Sequence, residues 1–554
     1  MKKENNQNIN QDESEQQNAS GNMYSYRDNN NPNIQELGAI RRSIGEGNPN
    51  LDYIQNNRGL GYNQNYINNG NVEIQYSQSY NINPNHNTLF YLPYIFICII
   101  ELVIIVILCV FFEYKITFDE HDKFDNYKLL RDMNIMVFVG FSMFHSILRR
   151  NSWMSILINC LVVSFAVQFA LFFNLLWKNA FNEEWSNETM NFTYLMKAIF
   201  ISSSVLVTLG CVLGKLSVIQ YIILAIFETF LCSLNYQLCE VKLKIVDYGG
   251  ALYIHTFGAI FGISISTVLF CSSKIKTSFN NFNYLNKSNY FSNLTLFLGM
   301  IFLFSYFPTF NSALAKESTY DVIKRKKGIY STYLSLFGSA IGAFITSGFF
   351  NNGRFIFEEI LYGTISGPII ISGCCTLCID HWAPMVVGTL GAIISIILLS
   401  KIKPYFVKLG LQDTCNIIII HGIIGLLGAF ITPIFISGFE KRKGEAKKIY
   451  DFGSREFSVQ AGIQVGGIFT TIGISFIGGI ATGYLMKVCL CGKINQYFTD
   501  SEFFVEEEKN IFEYIEQNTA FNVDINNPSL FKMDNSAYNQ KSRIQDIRGS
   551  RPSY

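Results

Sequence analysis

The chain reads as an all-α polytopic membrane protein of about twelve transmembrane helices. Three observations predict this. Apolar runs of about 20 residues, the length that spans a bilayer, recur along most of the chain. The 554 residues are 49% hydrophobic, with a mean hydropathy of +0.21. Two of the apolar runs carry one polar template, an Asp followed after seven residues by a His and then by closely spaced glycines. The first is Asp247 to His255 in DYGGALYIHTFGAIFG and the second is Asp413 to His421 in DTCNIIIIHGIIGLLG. The formal net charge of +1 says nothing about partners, and no nucleic-acid partner is expected. The partners expected are membrane lipids.

Residues 1–86 are rich in Asn, Gln and Ser without periodicity, which predicts a disordered cytoplasmic tail. The opening MKKENNQNINQDESEQQ has no apolar core, so no cleavable signal peptide is expected and insertion begins at the first span. The transmembrane domain is expected over 87–488. Its spans are expected near 89–112, 134–149, 153–177, 194–212, 217–237, 249–272, 290–311, 328–350, 357–378, 384–401, 414–437 and 460–487. Between the ninth and tenth, Ile379–Trp382 leaves room only for a short turn. Residues 489–554 are polar, carry Glu506–Glu508, and are expected to be a cytoplasmic tail.

Arg149 and Arg150 in a short loop favour the inside, which puts both termini in the cytoplasm. Lys324–Lys327 and Lys441–Lys443, in loops this orientation places outside, oppose it. Glycosylation sequons at Asn187 and Asn191 fall outside, but the one at Asn286 falls inside. Small-residue spacings such as Gly258/Gly262, Gly338/Gly342, Gly363/Gly367, Gly462/Gly466 and Gly479/Gly483 predict close helix packing.

The two Asp-x7-His spans are the sixth and the eleventh. Five spans apart, they cross in opposite directions, as expected of an inverted repeat of five-helix units with its site near the midplane. A histidine inside an apolar helix is costly and marks a functional site. Eight residues at about 1.5 Å rise place each His roughly 12 Å beyond its Asp. If the Asp residues start helices at opposite faces, both His reach the centre of a core about 30 Å thick. Two neutral imidazoles there can hydrogen-bond each other, offer a donor or acceptor to a small polar solute, and relay a proton. Gly249, Gly250, Gly258, Gly422 and Gly425 form a small-residue wall that leaves a narrow path. No ring of acids or carbonyls for ion coordination is evident, which favours a small uncharged molecule. Asp413 reads as a helix cap. Asp247 reads equally as a cap and as part of the site.

The other four histidines carry less. His86 and His121 lie in polar segments, and His145 ends the second span as a satisfied core or interface residue. His381 follows Cys374, Cys375 and Cys378, at spacings that match no standard zinc pattern. The 13 Cys lie mostly in apolar runs and read as small buried hydrophobes. Cys489 and Cys491, just past the last span, read as membrane-edge residues with acylation as the alternative. No metal or cofactor is expected.

These residues resemble a known family. The chain is similar to the Rhesus glycoproteins of the ammonia transporter superfamily, in order from about residue 88 to 508. DYGGALYIHTFGAIFG and DTCNIIIIHGIIG resemble the family's two histidine motifs. MNIMVFVGFSM (133–143), VLGKLSVIQ (212–220), YFPTFNSAL (306–314) and TYLSL (332–336) resemble weaker ones. The resemblance implies a non-enzymatic membrane channel or transporter for ammonia or ammonium, with one pore per subunit of a homotrimer. It sits in the plasma membrane or an internal vacuolar membrane. It implies that His255 and His421 line the pore, that Asp247 supports it structurally or relays protons, and that Phe200 and Phe302 form a gate. Such a gate excludes hydrated ions because stripping their water is expensive. The chain departs from the family at Ala251, Ile260, Tyr362 and Pro368, and in lacking an acidic residue at its vestibule position, although Glu240 is near. Two other readings remain: a non-conducting scaffold or ammonium sensor using the tail 1–86, and a membrane redox protein with His255 and His421 as haem ligands.

Overall fold

The computed structural model describes residues 87–113, 124–148, 152–183, 185–270, 288–315, 319–377, 380–438 and 455–488, with Phe498 and Asp500. The expected tail 1–86 lies outside these residues, as does nearly all of 489–554. His86, His121, Cys378, Cys489, Cys491, Asn286 and Lys441–Lys443 lie outside them too.

The helices run in order as α1 Asn87–Phe111, α2 124–144, α3 Ser152–Asn182, α4 Phe192–Val212, α5 Val218–Lys242 and α6 Ala251–Phe270. There follow α7 Tyr290–Phe310, α8 Thr319–Phe350, α9 Phe357–Ile371, α10 Trp382–Leu409, α11 Ile418–Gly438 and α12 Phe457–Val488. A two-residue parallel ladder pairs Phe112 with Glu188 and Glu113 with Thr189. Ten of the helices are long and apolar enough to cross a membrane. The other two are α2, whose first turns are polar, and α9, which has 15 residues. The expected ninth span thus stops seven residues early. Past it, the Ser372 hydroxyl bonds back to the Ile369 carbonyl (2.7 Å) and Cys375 Sγ donates to the carbonyls of Asn311 and Ser372. These local bonds compete with helix continuation.

Lys324–Lys327 are helical rather than looped, because α8 begins at Thr319. Lys and Arg are good helix formers and carry the helix past its apolar part. Pro368 sits inside α9 and has no N–H for the Thr364 carbonyl. The Ser339 hydroxyl donates to that carbonyl instead, at 2.7 Å.

Four of the five glycine pairs mark close helix approaches, as predicted. A Cβ on Gly258 would collide with the Ser204 carbonyl of α4, and one on Gly479 would stand 2.6 Å from the Phe261 carbonyl of α6. Gly462 and Gly466 differ, with nothing within 4 Å of either. The central helix is α4, buried on nearly every side. It packs against α3, α5 and α6, and α6 in turn packs on α12. Helices α8, α9 and α10 pack on one another. Ile95, Ile99, Leu102 and Val106 of α1 are exposed, the surface that contact with lipid requires.

Candidate functional site

The two templates fold alike. Asp247 Oδ2 accepts hydrogen bonds from the backbone N–H groups of Leu252 and Tyr253, both at 2.8 Å. The Asp413 carboxylate accepts from Ile417 (2.9 Å) and Ile418 (2.8 Å). Each Asp therefore caps its helix, and each helix opens with one wide turn, Ala251–Thr256 and Ile418–Ile423, that contains the histidine. Such turns recur at functional sites.

This corrects the expected helical rise between each Asp and its His. Residues 247–250 are not helical, and Gly250 adopts φ 81°, which a residue with a Cβ resists. His255 lies only four residues into α6, about 6 Å along its axis. The pair therefore meets at the N-terminal ends of two helices, not midway along them. The Gly249 N–H donates to the Ser372 carbonyl (3.1 Å), and a Cβ on Gly425 would stand 2.8 Å from His255 Cβ. These two glycines bring segments together around the site.

His255 Nδ1 and His421 Nδ1 are 2.9 Å apart, with both side chains about 1% exposed. One Nδ1 must donate and the other accept. The donating ring then has a lone pair on Nε2, and the accepting ring has an N–H there. His255 Nε2 has no hydrogen-bond partner among the described residues.

Rings continue from the pair in both directions. Toward the Asp247 end, Phe307 lies 6.1 Å from His255, and Phe310 lies 6.4 Å from Phe307. Phe310 stacks on Phe200 at 5.7 Å and 20°. Tyr236 meets Phe200 edge-on at 6.2 Å. Toward the Asp413 end, Phe141 lies 6.2 Å from His421, and His145 lies 5.9 Å from Phe141. The result is one buried file of aromatic and imidazole rings.

Phe302 is not in it. Phe200 stacks with Phe310, and Phe302 is half-buried elsewhere on α7. The physical reason is helical phase. Leu296, Gly299, Leu303, Phe307 and Phe310 recur at three- and four-residue steps and form the buried stripe of α7. Phe302 is one residue, about 100°, off that stripe. The same spacing is the signal that would have found Phe307 and Phe310 in the sequence.

The departures from the motifs have local partners. Tyr362 meets Phe144 edge-on at 5.6 Å. The Pro368 carbonyl accepts from Asn311 Nδ2 at 3.1 Å. Glu240 is half-buried in the wide turn that ends α5, one turn beyond Tyr236. Asn191, in the second sequon, caps α4 by accepting from the Tyr194 N–H at 2.8 Å. His381 Nδ1 lies 3.3 Å from Lys327 Nζ.

The family model of the Ammonium Transporter Family matches residues 94–497. The chain belongs to the Ammonium Transporter Family. Among relatives, it is 28% identical over 384 residues to "Ammonium transporter Rh type B" of Oryzias latipes, covering 67% of this chain and 80% of that one. It is 26% identical over 413 residues to "Ammonium transporter Rh type C" of Homo sapiens, covering 73% and 84%. Among solved structures, Rh50 of Nitrosomonas europaea superimposes with a TM-score of 0.58 at 22% identity, covering 76% of this chain and 98% of that one. Mep2 of Saccharomyces cerevisiae superimposes with a TM-score of 0.52 at 15% identity, covering 70% and 94%. As a member of the Ammonium Transporter Family with the Rhesus resemblance, this is a multi-pass integral membrane protein.

Within this family member, the two caps predict a stability effect. Asp247→Ala removes the acceptor for two buried N–H groups. Losing a cap costs about 1 kcal/mol, and each donor left unpaired costs about 1–3 kcal/mol. The expected result is a lower melting temperature in detergent, with Asp247→Asn, which keeps one acceptor oxygen, lowered less.

Proposed function

We propose that the chain conducts ammonia across a membrane, passing neutral NH3 along the ring file. The observation that carries this is the buried His255–His421 contact at 2.9 Å. It supplies a lone pair and an N–H to a molecule that is itself both donor and acceptor, in surroundings otherwise apolar. A permanent ion entering between phenyl rings and two hydrogen-bonded neutral imidazoles would lose its water without charged replacement.

In this reading Phe200 and Phe310 form the gate that excludes hydrated ions. His255 and His421 hold ammonia in single file and can pass a proton between their Nδ1 atoms. Asp247 acts by fixing the start of α6, and with it the position of His255. The Asp247 end faces outward and the Asp413 end inward, with both termini cytoplasmic. The protein assembles as a homotrimer in the plasma membrane or an internal vacuolar membrane. A haem between the two histidines is disfavoured by the geometry: nitrogens in hydrogen-bond contact leave no room for an iron and its macrocycle between them.

The test is reconstitution. Proteoliposomes given an inward ammonium gradient are expected to alkalinise faster than empty liposomes, followed with an internal pH dye. Equal rates would overturn the reading.

A further inference from the structure

His145 lies on the ring file but is not one of the two template histidines. It follows α2 and is about 1% exposed. Its Nδ1 lies 3.1 Å from Asn159 Oδ1 of α3. Asn159 also uses its other amide atom: Nδ2 donates to the Ser155 carbonyl one turn back. A carbonyl can only accept, so the atom facing Ser155 must be Nδ2, and the atom facing His145 must be the acceptor Oδ1. His145 Nδ1 therefore carries the hydrogen and donates. In the neutral ring this leaves Nε2 as a bare lone pair.

That lone pair has no hydrogen-bond partner among the described residues although it is buried. An unpaired buried acceptor costs free energy, so its persistence asks for a ligand. The wall beside it is the end of a side chain rather than backbone: a Cβ on Gly210 would stand 3.1 Å from Nε2 and 2.6 Å from Ile417 Cδ1, so the Ile417 side chain packs beside the lone pair and has to swing aside to admit a ligand. Phe141 bridges this place to the twin pair, 5.9 Å from His145 and 6.2 Å from His421. The twin pair cannot fix which of its rings donates. Here Asn159 fixes the tautomer, so the site is an obligate acceptor.

We propose that His145 Nε2 is a third binding station of the path, at its Asp413 end, where it accepts a hydrogen bond from an N–H of the conducted ammonia. The proposal rests on the pore reading above. It assigns to the path a selective element: a solute must present a donor at this end. Asn159 acts as the positioning residue by locking the tautomer.

Three variants test it in proteoliposomes under an ammonium gradient. His145→Phe keeps a ring without an acceptor, and flux is expected to fall about tenfold. His145→Gln restores an acceptor, and flux is expected to recover to at least half of wild type. Asn159→Leu keeps the volume and leaves His145 in place but frees its tautomer, and flux is expected to fall severalfold. Melting temperatures in detergent show whether each variant folds, and Asn159→Leu keeps the proposal testable if His145→Phe does not. Wild-type flux in both His145→Phe and Asn159→Leu would overturn the proposal while leaving the pore reading standing. So would equal losses in His145→Phe and His145→Gln, which would mean that the ring matters only for packing. Wild-type liposomes no faster than empty ones would remove the pore reading itself, and this proposal with it, before any substitution is made.

Discussion

Replacing either His255 or His421 by Leu is expected to lower ammonia flux at least about fivefold, and replacing both should lower it little further. The two Nδ1 atoms share one hydrogen bond, so each single substitution already leaves the surviving Nδ1 unpaired in a buried site. That costs about 1–3 kcal/mol, or roughly five- to 150-fold if it falls on the rate-limiting step. Residues that share one hydrogen bond are not additive. The measurement is the initial alkalinisation rate of proteoliposomes for wild type, both single variants and the double. A double variant whose loss equals the product of the singles would show two independent contacts, contrary to a shared one.

Removing Phe310 is expected to have the second large effect. Its ring stacks on Phe200 and touches Phe307, which in turn touches His255. Phe310→Ala opens the file where the gate reading needs it closed, so an ammonium gradient should drive a measurable current that wild type lacks. Deleting a buried phenyl also costs about 3–5 kcal/mol of stability, so Phe310→Leu is the companion variant, expected to fold better and leak less. Phe302→Ala should leave flux within about twofold of wild type and add no current. The comparison discriminates sharply because Phe302 and Phe310 lie on the same helix and differ in phase. A leak in Phe302→Ala but not in Phe310→Ala would return the gate to Phe302.

Much of the architecture was legible in the residues because a bilayer demands long apolar runs and closed backbone hydrogen bonding. The family membership and the parallel between the two histidine templates were legible for the same reason, since few sequences tolerate a histidine in such runs. What failed was finer. The ring beside Phe200 was placed at Phe302 by counting back from Asn311, whereas the buried stripe of α7 puts Phe310 there. The helical rise from Asp247 to His255 was overestimated because DYGG was counted as helix, whereas Gly250 turns the chain before α6 begins. Lys324–Lys327 looked like a loop because charge ends an apolar run without ending a helix. His145 was read as a core residue, and burial is indeed its state. Its hydrogen-bonding state depends on Asn159, fourteen residues away on another helix, a relation with no local signature.

The central claim is that a neutral molecule crosses. Charge movement and internal pH, measured on the same wild-type proteoliposomes under one ammonium gradient, test it most directly. The account predicts protein-dependent alkalinisation with no net current. A current carrying one positive charge for each ammonium taken up, without alkalinisation, would contradict it.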